Sequence, residues 1–549
     1  MRIYQSPKSS YFIMQLQSTS LPVIIINLIF VVHNLAGSDL LCDAYANEEC
    51  DNSTAKEEIE YVAAVLEYAP SIEGNATQRL RTNAEVFAEY AAQAKEQNAD
   101  ILVFPEYGLT ETSVADSTDH LLPFSLIVPD PSQYTVPCDY PPDQPYSQAL
   151  SMLSCTAADL SLYLVVDLPE QVDCSSAGCP DDYYFYNTMV VFDRQGAVVA
   201  RYRKQHLFLE PGYTPGNEDP ETAIFTTDFG VTFSLQNYFD VMYDSPGVLN
   251  VVNHGIKDVI MSTAWVDELP HFTAPQHFSG WSVGLGVNFL VSGLHQPTSG
   301  QLGSGIFFGV TGDDPLYVWN ATLGDELLVH RVTTYKSEAS DLLEEIETTE
   351  STTINITYKP SDYFEKEVEQ LNPNDQLILH EDLSNYTNVV LKKSELDIIL
   401  TQTSCHNELI CCTVTYTWPN NDTKDGNYLL LAFSGNYTIA NTYTMYTETC
   451  SVVYCLSPDI DNCTLVENMV PSHNSFKVLS LDGSFNTEYV YPSVMTQDMH
   501  LYNRTLWTFV ELDYNKEKYP HSIRFESDEA VSNLLSLTMF GRWFEKDVN

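Results

Sequence analysis

The sequence predicts an α/β domain followed by a smaller β-rich domain that disulfides cross-link. Between about residues 58 and 332, short apolar strand segments alternate with helical segments, a pattern typical of a sheet covered by helices. After residue 368, segments in which polar and apolar residues alternate dominate, and these indicate strands. Six of the twelve cysteines lie in each part. We therefore place the first domain at 39–335, a polar linker at 336–368 and the second domain at 369–549.

The elements of the first domain follow from hydrophobic runs and helix-forming composition. Residues 78–97 are rich in Ala, Glu, Gln and Lys and predict a helix. Apolar runs predict strands before and after this helix, at residues 61–66, 101–104, 162–166, 188–192, 259–261 and 289–291.

The linker and the second domain differ in composition. Residues 344–353, EEIETTESTT, are acidic and rich in threonine, which is typical of an exposed connection. Residues 412–418 and 442–447 alternate polar and apolar side chains, and residues 428–433 form a buried run. These patterns predict a sheet-based domain.

Residues 1–38 are predicted to be a signal peptide. Arg2 and Lys8 are basic, residues 21–32 form an apolar run, and the small residues at 36–38 are suited to cleavage. The run is shorter than the roughly 20 residues that a transmembrane helix needs. The alternative is an uncleaved signal anchor.

The C-terminal residues 541–549, GRWFEKDVN, are not a hydrophobic tail, so we expect no lipid anchor and no integral membrane segment. The predicted localisation is secreted and extracellular. A formal net charge of −50 argues against nucleic acid and against anionic membrane surfaces as partners, because both bind cationic patches. The charge does not identify a cationic partner.

The cysteines and the glycosylation sequons fit an exported chain. Twelve cysteines, an even number, predict disulfides that form within each domain. Zinc ligation is the alternative, but none of the pairs has the spacing of a zinc ribbon, so we expect no metal. N-x-Ser/Thr sequons, which predict glycosylated surface sites, occur at Asn52, Asn75, Asn320, Asn355, Asn385, Asn421, Asn436, Asn462 and Asn503.

Three segments of the first domain hold candidate catalytic residues. Glu106 follows the strand 101–104, at the end of a strand where α/β folds place active groups. Lys204 lies in the segment RYRKQHLF, and Tyr238 follows an alternating strand in the segment 229–246. Taken singly, Glu106 could be a solvated loop carboxylate and Lys204 part of an exposed basic cluster.

Together these segments resemble the vanin and biotinidase branch of the nitrilase superfamily. The motifs FPEYGL, RYRKQHLF, STAWVDELPHF, GVNFLVSGLHQP and GSGIF occur in that family's order. The resemblance extends over nearly all of the mature chain through the adjacent residues Cys411 and Cys412, the later cysteines 450, 455 and 463, and the terminal GRWFE. It implies a nitrilase-type α-β-β-α sandwich, followed by the family's β-rich C-terminal domain. It also implies hydrolysis of a linear amide such as pantetheine or a biotinyl amide, without a cofactor.

The resemblance also implies a Glu–Lys–Cys triad. In such a triad a thiolate attacks the amide carbonyl, the glutamate is the general base and the lysine stabilises the oxyanion. Carried over to this chain, Glu106 is the base and Lys204 the oxyanion-stabilising residue. Glu210 helps to orient the site, and Trp265 lies near the pocket. The residue at the cysteine position is Tyr238, which directly precedes a Phe-Asp pair.

Tyrosine is a poor substitute for the cysteine. Its unperturbed pKa is about 10 against about 8.5 for cysteine, and its oxygen lies at the far end of a rigid ring. Ser234 is four residues upstream in the strand, roughly 13 Å away at about 3.3 Å per residue. The leading hypothesis is an inactive or impaired amide hydrolase scaffold that retains a pocket for a pantetheine- or biotinamide-like amide. The alternatives are an active amidohydrolase with a relocated nucleophile or a Glu106-activated water, and a structural extracellular role.

Overall fold

The computed structural model describes residues 58–141, 146–177, 179, 182–217, 219–336, 376–393, 398–418, 426–463, 475–511, 519–525 and 530–547. The predicted signal peptide, the predicted linker after residue 336 and three of the sequons, at Asn52, Asn355 and Asn421, lie outside these residues. The expectations for these segments therefore remain predictions.

The first part of the chain alternates strands and helices. Its strands are β1 (Glu58–Glu67), β2 (Ile101–Val103), β3 (Tyr163–Asp173), β4 (Tyr183–Phe192), β5 (Val198–Arg203), β6 (Ile224–Thr226), β7 (Thr232–Asn237), β8 (Asp258–Thr263), β9 (Glu268–Leu269), β10 (Asn288–Gly293), β11 (Ser304–Phe308), β12 (Leu316–Val318) and β13 (Glu326–Tyr335). Its helices are α1 (Ala76–Glu96), α2 (Thr118–Leu121), α3 (Gln148–Leu160), α4 (Leu249–His254) and α5 (Ala274–Leu285).

The longer strands form two six-stranded sheets that pack face to face. One has the order β13-β1-β2-β3-β4-β5 and the other β12-β11-β10-β8-β7-β6. β1, β2 and β3 are parallel, as are β7, β8 and β10, which places their carboxyl ends at a common edge of each sheet. Apolar side chains from both sheets, including Val65, Val103, Leu235 and Ile260, fill the space between them. Burial of both faces of each sheet explains why these strands are near-continuous apolar runs.

Helices cover the outer face of each sheet. α1 and α3 pack on the first sheet through side chains such as Phe87 and Leu153, and α5 packs on the second through Phe278 and Trp281. The first domain is therefore an α-β-β-α sandwich, which confirms the predicted fold class. Within the described residues, none of the helices is both long and apolar enough to cross a membrane.

The strand predicted from the alternation before Tyr238 is β7, and both of its faces are buried. Phe233 and Leu235 point into the core between the sheets. The polar residues between them are buried as well, and the Ser234 hydroxyl accepts a 2.9 Å hydrogen bond from Asn250 Nδ2 in α4. The alternation thus marks two different buried layers rather than a solvent-facing side.

The second part of the chain is built from strands alone, apart from short 3₁₀ turns, in the residues described. These strands are β14 (Leu379–His380), β15 (Thr387–Val390), β16 (Leu400–His406), β17 (Ile410–Thr417), β18 (Asn427–Ile439), β19 (Tyr443–Cys455), β20 (Ser475–Phe476), β21 (Val478–Phe485), β22 (Val490–Thr496), β23 (Trp507–Glu511), β24 (Tyr519–Phe525), β25 (Val531–Ser532) and β26 (Leu534–Arg542). Two five-stranded sheets, β15-β18-β19-β26-β22 and β16-β17-β21-β24-β23, enclose a common apolar core. This part is the predicted β-rich domain.

Disulfides join ten of the twelve cysteines. Cys138 pairs with Cys155 and Cys174 with Cys179 in the first domain, and the other three bridges, Cys405–Cys411, Cys412–Cys450 and Cys455–Cys463, lie in the second. Every bridge joins cysteines of the same domain, as predicted. Cys42 and Cys50 lie outside the described residues.

The two domains share a contact surface on the α5 side of the sandwich. β14 pairs in parallel with β9 of the first domain. Met445 and Phe540 of the second domain join the same apolar cluster as Phe272 of the first. Arg542, which is fully buried, donates from Nε to the Met242 carbonyl oxygen at 2.8 Å. The second domain therefore supports the turn that follows β7.

Candidate active site

Glu106 lies directly after β2, at the carboxyl edge of the first sheet, and is completely buried. Its Oε1 accepts hydrogen bonds from Lys204 Nζ at 2.7 Å and from Asn187 Nδ2 at 2.8 Å. Oε2 has no hydrogen-bond partner among the described protein atoms. The next residue, Tyr107, has a φ of 59°, and its backbone N–H donates to Asp167 at 3.1 Å. This turn fixes the carboxyl group between the strand ends.

Lys204 follows β5 and bridges two carboxylates. Its Nζ lies 2.7 Å from Glu106 Oε1 and 2.7 Å from Glu210 Oε2, and its side chain has no exposed surface. Its backbone N–H donates to the Asn187 carbonyl oxygen at 2.9 Å, which continues the pairing of β5 with β4. Glu210 in turn accepts from Asn187 Nδ2 at 2.8 Å and from the Tyr107 hydroxyl.

Tyr238 is the first residue of the 3₁₀ turn Tyr238–Met242 that follows β7. Its φ of 39° lies in the left-handed region, which non-glycine residues adopt rarely. The Asp240 carboxylate holds the turn by accepting from the Asn237 N–H at 2.9 Å and from the Tyr202 hydroxyl at 2.8 Å. The side chain of Tyr238 is thereby directed at Lys204.

The Tyr238 ring covers the buried ion pair. Lys204 Nζ lies 5.0 Å from the ring centroid, within the range of a cation–π contact. Trp265 meets the Tyr238 ring edge to face at 5.7 Å, and Phe208 does so at 5.4 Å. Trp265 is itself held by a 2.7 Å hydrogen bond from Nε1 to the Phe272 carbonyl oxygen. The ring is thus enclosed by aromatic side chains and only 7% exposed.

The Tyr238 ring forms part of the wall of a cavity of about 340 Å³. Tyr107, Phe208, Glu210, Tyr238 and Val266 are among the residues that line it. Neither Glu106 nor Lys204 is among them. Two residues that contact Lys204, namely Tyr238 and Glu210, thus line the cavity, whereas Lys204 and Glu106 do not.

The buried charges do not balance one to one. Three carboxyl groups, those of Glu106, Glu210 and Asp167, surround the single ammonium of Lys204. Burial raises the pKa of Glu106 to about 8, although the Lys204 charge opposes this effect. Burial also raises the pKa of Asp167 to about 7, against the hydrogen bond from the Tyr107 N–H. The site therefore takes up protons near neutral pH.

The pKa values of Lys204 and of the Tyr238 hydroxyl are both raised, which keeps the lysine charged and the tyrosine neutral. Burial alone lowers the pKa of Lys204, but the charges of Glu106 and Glu210 outweigh it and raise the pKa, so the ammonium persists. Burial raises the pKa of the Tyr238 hydroxyl, the Lys204 charge lowers it, and the two glutamates raise it further; the result is a pKa well above its ordinary value. At neutral pH the site therefore holds a charged ammonium, that of Lys204, and a protonated phenol, that of Tyr238.

The structure offers neither Ser234 as an alternative nucleophile nor a metal site among the described residues. Ser234, the nearest hydroxyl upstream of Tyr238, is buried in β7 and accepts a hydrogen bond from Asn250. Among the residues that the structure describes, no group of three or more His, Cys, Asp or Glu side chains is arranged to hold a metal ion. What remains is the hydrogen-bonded pair of Glu106 and Lys204 beside the Tyr238 ring.

Comparison with known proteins identifies the family. Residues 376–547 match the family model of the vanin C-terminal domain, and residues 63–254 match that of carbon-nitrogen hydrolases. Vanin-like protein 3 of Drosophila melanogaster is 30% identical over 513 residues, which cover 89% of this chain and 90% of that protein. The chain belongs to the vanin family.

Two further similarities accompany this match. A pantetheinase of Bos taurus is 28% identical over 511 residues, which cover 89% of this chain and 90% of that protein. A solved amidase of Nesterenkonia AN1, from the nitrilase superfamily, covers 49% of this chain and 90% of its own at 20% identity, with a TM-score of 0.36. The first domain of this vanin-family chain is a carbon-nitrogen hydrolase domain.

The five residues that the motifs point to lie together in this vanin-family fold. Glu106, Lys204 and Glu210 form one hydrogen-bonded cluster, and Tyr238 and Trp265 pack against it or against each other. Their assigned catalytic roles remain a proposal.

Two polar residues that hold this cluster in the vanin-family site were not predicted from the sequence. Asn187 bonds both Glu106 and Glu210, and Asp167 accepts from Tyr107 and Asn237. A signal for Asp167 was present, because it follows the apolar run 162–166 as Glu106 follows 101–104. Asn187 lies in β4 directly before the apolar segment 188–192, with no comparable signal.

Buried carboxyl groups predict that the protein is more stable in mild acid. Burial raises the pKa of Asp267 to about 8 and that of Glu268 to about 7, as it does for Glu106 and Asp167. Between pH 5.5 and 8.5 the folded state binds protons that the unfolded chain, with carboxyl pKa values near 4, has released. Stability must therefore fall as the pH rises. We expect the free energy of unfolding to be at least about 2 kcal/mol higher at pH 5.5 than at pH 8.5, the contribution of one such carboxyl group.

Denaturant unfolding at both pH values measures this difference. About 0.5 M salt screens the repulsion among surface carboxylates, so the buried groups dominate. Asp267→Asn should make the pH dependence weaker, because one group with a raised pKa is removed. A protein that becomes more stable from pH 5.5 to pH 8.5 would contradict the prediction.

Proposed function

We propose that the protein is a secreted, glycosylated vanin-family member that binds a small amide without hydrolysing it at the family's rates. The observation that carries the proposal is Tyr238, which occupies the position assigned to the family's nucleophilic cysteine. In another hydrolase, loss of the nucleophile lowers kcat by about 10⁶-fold. Glu106 and Lys204 do not compensate for this loss, because neither forms the covalent bond to the acyl group.

The geometry around Tyr238 supports a block to chemistry rather than a relocated nucleophile. The Tyr238 ring lines the cavity, and its centroid lies 5.0 Å from the Lys204 ammonium, which does not line the cavity. The raised pKa of the Tyr238 hydroxyl keeps it protonated. A substrate carbonyl in the cavity would therefore meet a neutral aromatic side chain before it could reach Glu106.

The proposed ligand is a pantetheine-like or biotinamide-like amide. The cavity of about 340 Å³ falls within the roughly 300–1,000 Å³ typical of small-molecule sites. Relatives named pantetheinase match 89% of the chain, which supports the first of these ligand types. Apolar walls formed by Phe208 and Val266 suit the aliphatic part of such a molecule.

Two features support secretion and glycosylation. Five disulfides form within the two domains among the described residues, and such bridges are typical of chains that fold in an oxidising compartment. Of the described sequons, those at Asn75, Asn320, Asn385, Asn436 and Asn503 are exposed, and that at Asn462 is partly buried.

Binding and turnover of pantetheine by the purified protein test the proposal. We expect saturable binding by calorimetry and no release of cysteamine above the buffer blank. Ser113 is exposed and lines the cavity, so Ser113→Phe should fill the space and abolish binding. Ser132→Phe, at an exposed serine that is not among the cavity residues, is the matched control and should bind normally. Turnover that Glu106→Gln abolishes would reject the proposal and favour an active hydrolase. Absence of binding to pantetheine and to biotinyl amides would reject the ligand class.

A further inference from the structure

We infer that the cavity in front of Tyr238 selects ligands by charge: it accepts uncharged and amine-bearing small molecules and rejects anions, with Asp116 as the specificity-determining residue. The inference rests on the proposed function, because it names the chemical class of the ligand for the same cavity. It goes beyond that proposal by assigning a role to a residue outside the glutamate–lysine pair.

The polar lining of the cavity contains acceptors and hydroxyl groups but no cation. Thr112 and Ser113 contribute hydroxyls, Gln301 an amide, and Asp116 and Glu210 carboxylates. None of the described residues that line it is a lysine, an arginine or a histidine. A buried carboxylate or phosphate of a ligand would therefore lose its hydration without gaining an ion pair.

The cation behind the cavity does not supply the missing positive charge. Both of the carboxylates that contact Lys204, those of Glu106 and Glu210, are 2.7 Å from its ammonium, and the Tyr238 ring covers it. The group of Lys204, Glu106, Glu210 and Asp167 has a charge of −2 when all three carboxyls are ionised. It is neutral when Glu106 and Asp167 are both protonated. In neither state does the buried group attract an anion.

Asp116 places a carboxylate at the open side of the cavity. It is exposed and ends the 3₁₀ turn Thr112–Asp116. The turn is fixed by a 2.8 Å hydrogen bond from the Gly212 N–H to the Ala115 carbonyl oxygen. A β-carbon at Gly212 would lie 2.9 Å from that oxygen, so the close approach of the two loops requires glycine. The position of Asp116 is therefore set by the backbone.

Aromatic rings complete a site for an amine. Tyr107, Phe208 and Tyr238 line the cavity together with Asp116. Ring faces and a carboxylate both stabilise an ammonium group, and a cleft lined by one sign of charge concentrates ions of the opposite sign. The formal net charge of −50 on the whole chain acts in the same direction.

Charged thiol reagents measure the potential in the cavity without requiring knowledge of the ligand. Ser113→Cys introduces a thiol at the exposed lining residue and leaves Tyr238 unchanged. The variant is treated with 2-aminoethyl, methyl and 2-sulfonatoethyl methanethiosulfonates, and the rates are divided by those for free 2-mercaptoethanol. We expect the normalised rate of the cationic reagent to exceed that of the anionic one by about tenfold or more. Wild-type protein provides the blank for native thiols.

Asp116→Asn in the Ser113→Cys background isolates the assigned residue. We expect the cation-to-anion ratio to fall about fivefold, because loss of the carboxylate charge slows the cationic reagent and speeds the anionic one by roughly twofold each. Asp159→Asn, which removes the same charge from an exposed position on α3 outside the cavity, should leave the ratio unchanged.

Two results would overturn the inference. A normalised ratio near one would show that the cavity does not discriminate by charge. A ratio that falls equally with Asp116→Asn and Asp159→Asn would remove the role of Asp116. Thr112→Cys provides a second thiol at another lining residue of the cavity if Ser113→Cys does not fold. The reagents report the potential whether or not pantetheine binds, so failure here is distinct from failure of the proposed function.

Discussion

Replacement of Tyr238 by cysteine is expected to give the protein an amide hydrolase activity well above that of the wild type. Glu106 and Lys204 are already 2.7 Å apart beneath the residue, and Asp240 holds the turn through the Asn237 N–H, independently of the side chain at 238. Removal of the ring also opens the path from the cavity to the pair. Positioning and oxyanion stabilisation contribute much of the rate at such a site, and we propose that Glu106 and Lys204 supply them.

The expected gain in turnover of pantetheine or a biotinyl amide is at least about 10³-fold over the wild type, short of the roughly 10⁶-fold that a nucleophile contributes. Steady-state release of cysteamine or of the free amine measures it. Glu106→Gln in the Tyr238→Cys background is the control and should abolish the gain, since the general base is lost. Tyr238→Ser tests whether the gain needs a thiol rather than space alone. An inactive, folded Tyr238→Cys variant would show that the pair is no longer placed for catalysis.

Lys204→Met is expected to cause the largest loss of stability in the chain. It removes the partner of Glu106 and Glu210, whose contacts with Nζ are both 2.7 Å long, from a site without exposed surface. Loss of one partner of a buried ion pair costs about 3–5 kcal/mol, because the remaining charge is left unpaired. Urea unfolding at pH 8 measures the cost.

The pH dependence of this loss separates an unpaired charge from a packing defect. In the variant the glutamates can be neutralised by protonation, so the loss should be smaller at pH 6 than at pH 8. Lys204→Met combined with Glu106→Gln should recover part of the loss at pH 8. Arg81→Met is the matched control, since Arg81 forms an exposed i,i+4 pair with Glu85 and should cost at most about 0.5 kcal/mol. Equal losses for the two single variants would contradict the buried-pair interpretation.

Local patterns in the sequence located part of the elements of the fold. The run at 101–104 and the helix at 78–97 correspond to β2 and α1, with boundaries that differ by one or two residues. The motif RYRKQHLF located Lys204, and the alternating strand located the turn at Tyr238. Such signals succeed because strand and helix periodicities arise from neighbouring residues that share one environment.

Only the tertiary structure decided how these residues act on one another. Glu106 and Lys204 are 98 positions apart in the sequence, and Asn187, which bonds to Glu106, lies on a third strand. No pattern within one segment reports that three carboxyl groups share a single ammonium, or that a tyrosine ring closes the site. Cavity shape and buried charge depend on contacts between distant segments, which the pairing of the strands and the packing of the second domain determine. The sequence by itself therefore determined the family and the fold class and placed Tyr238 in the turn after β7, and the packing decided the protonation and the accessibility of the site.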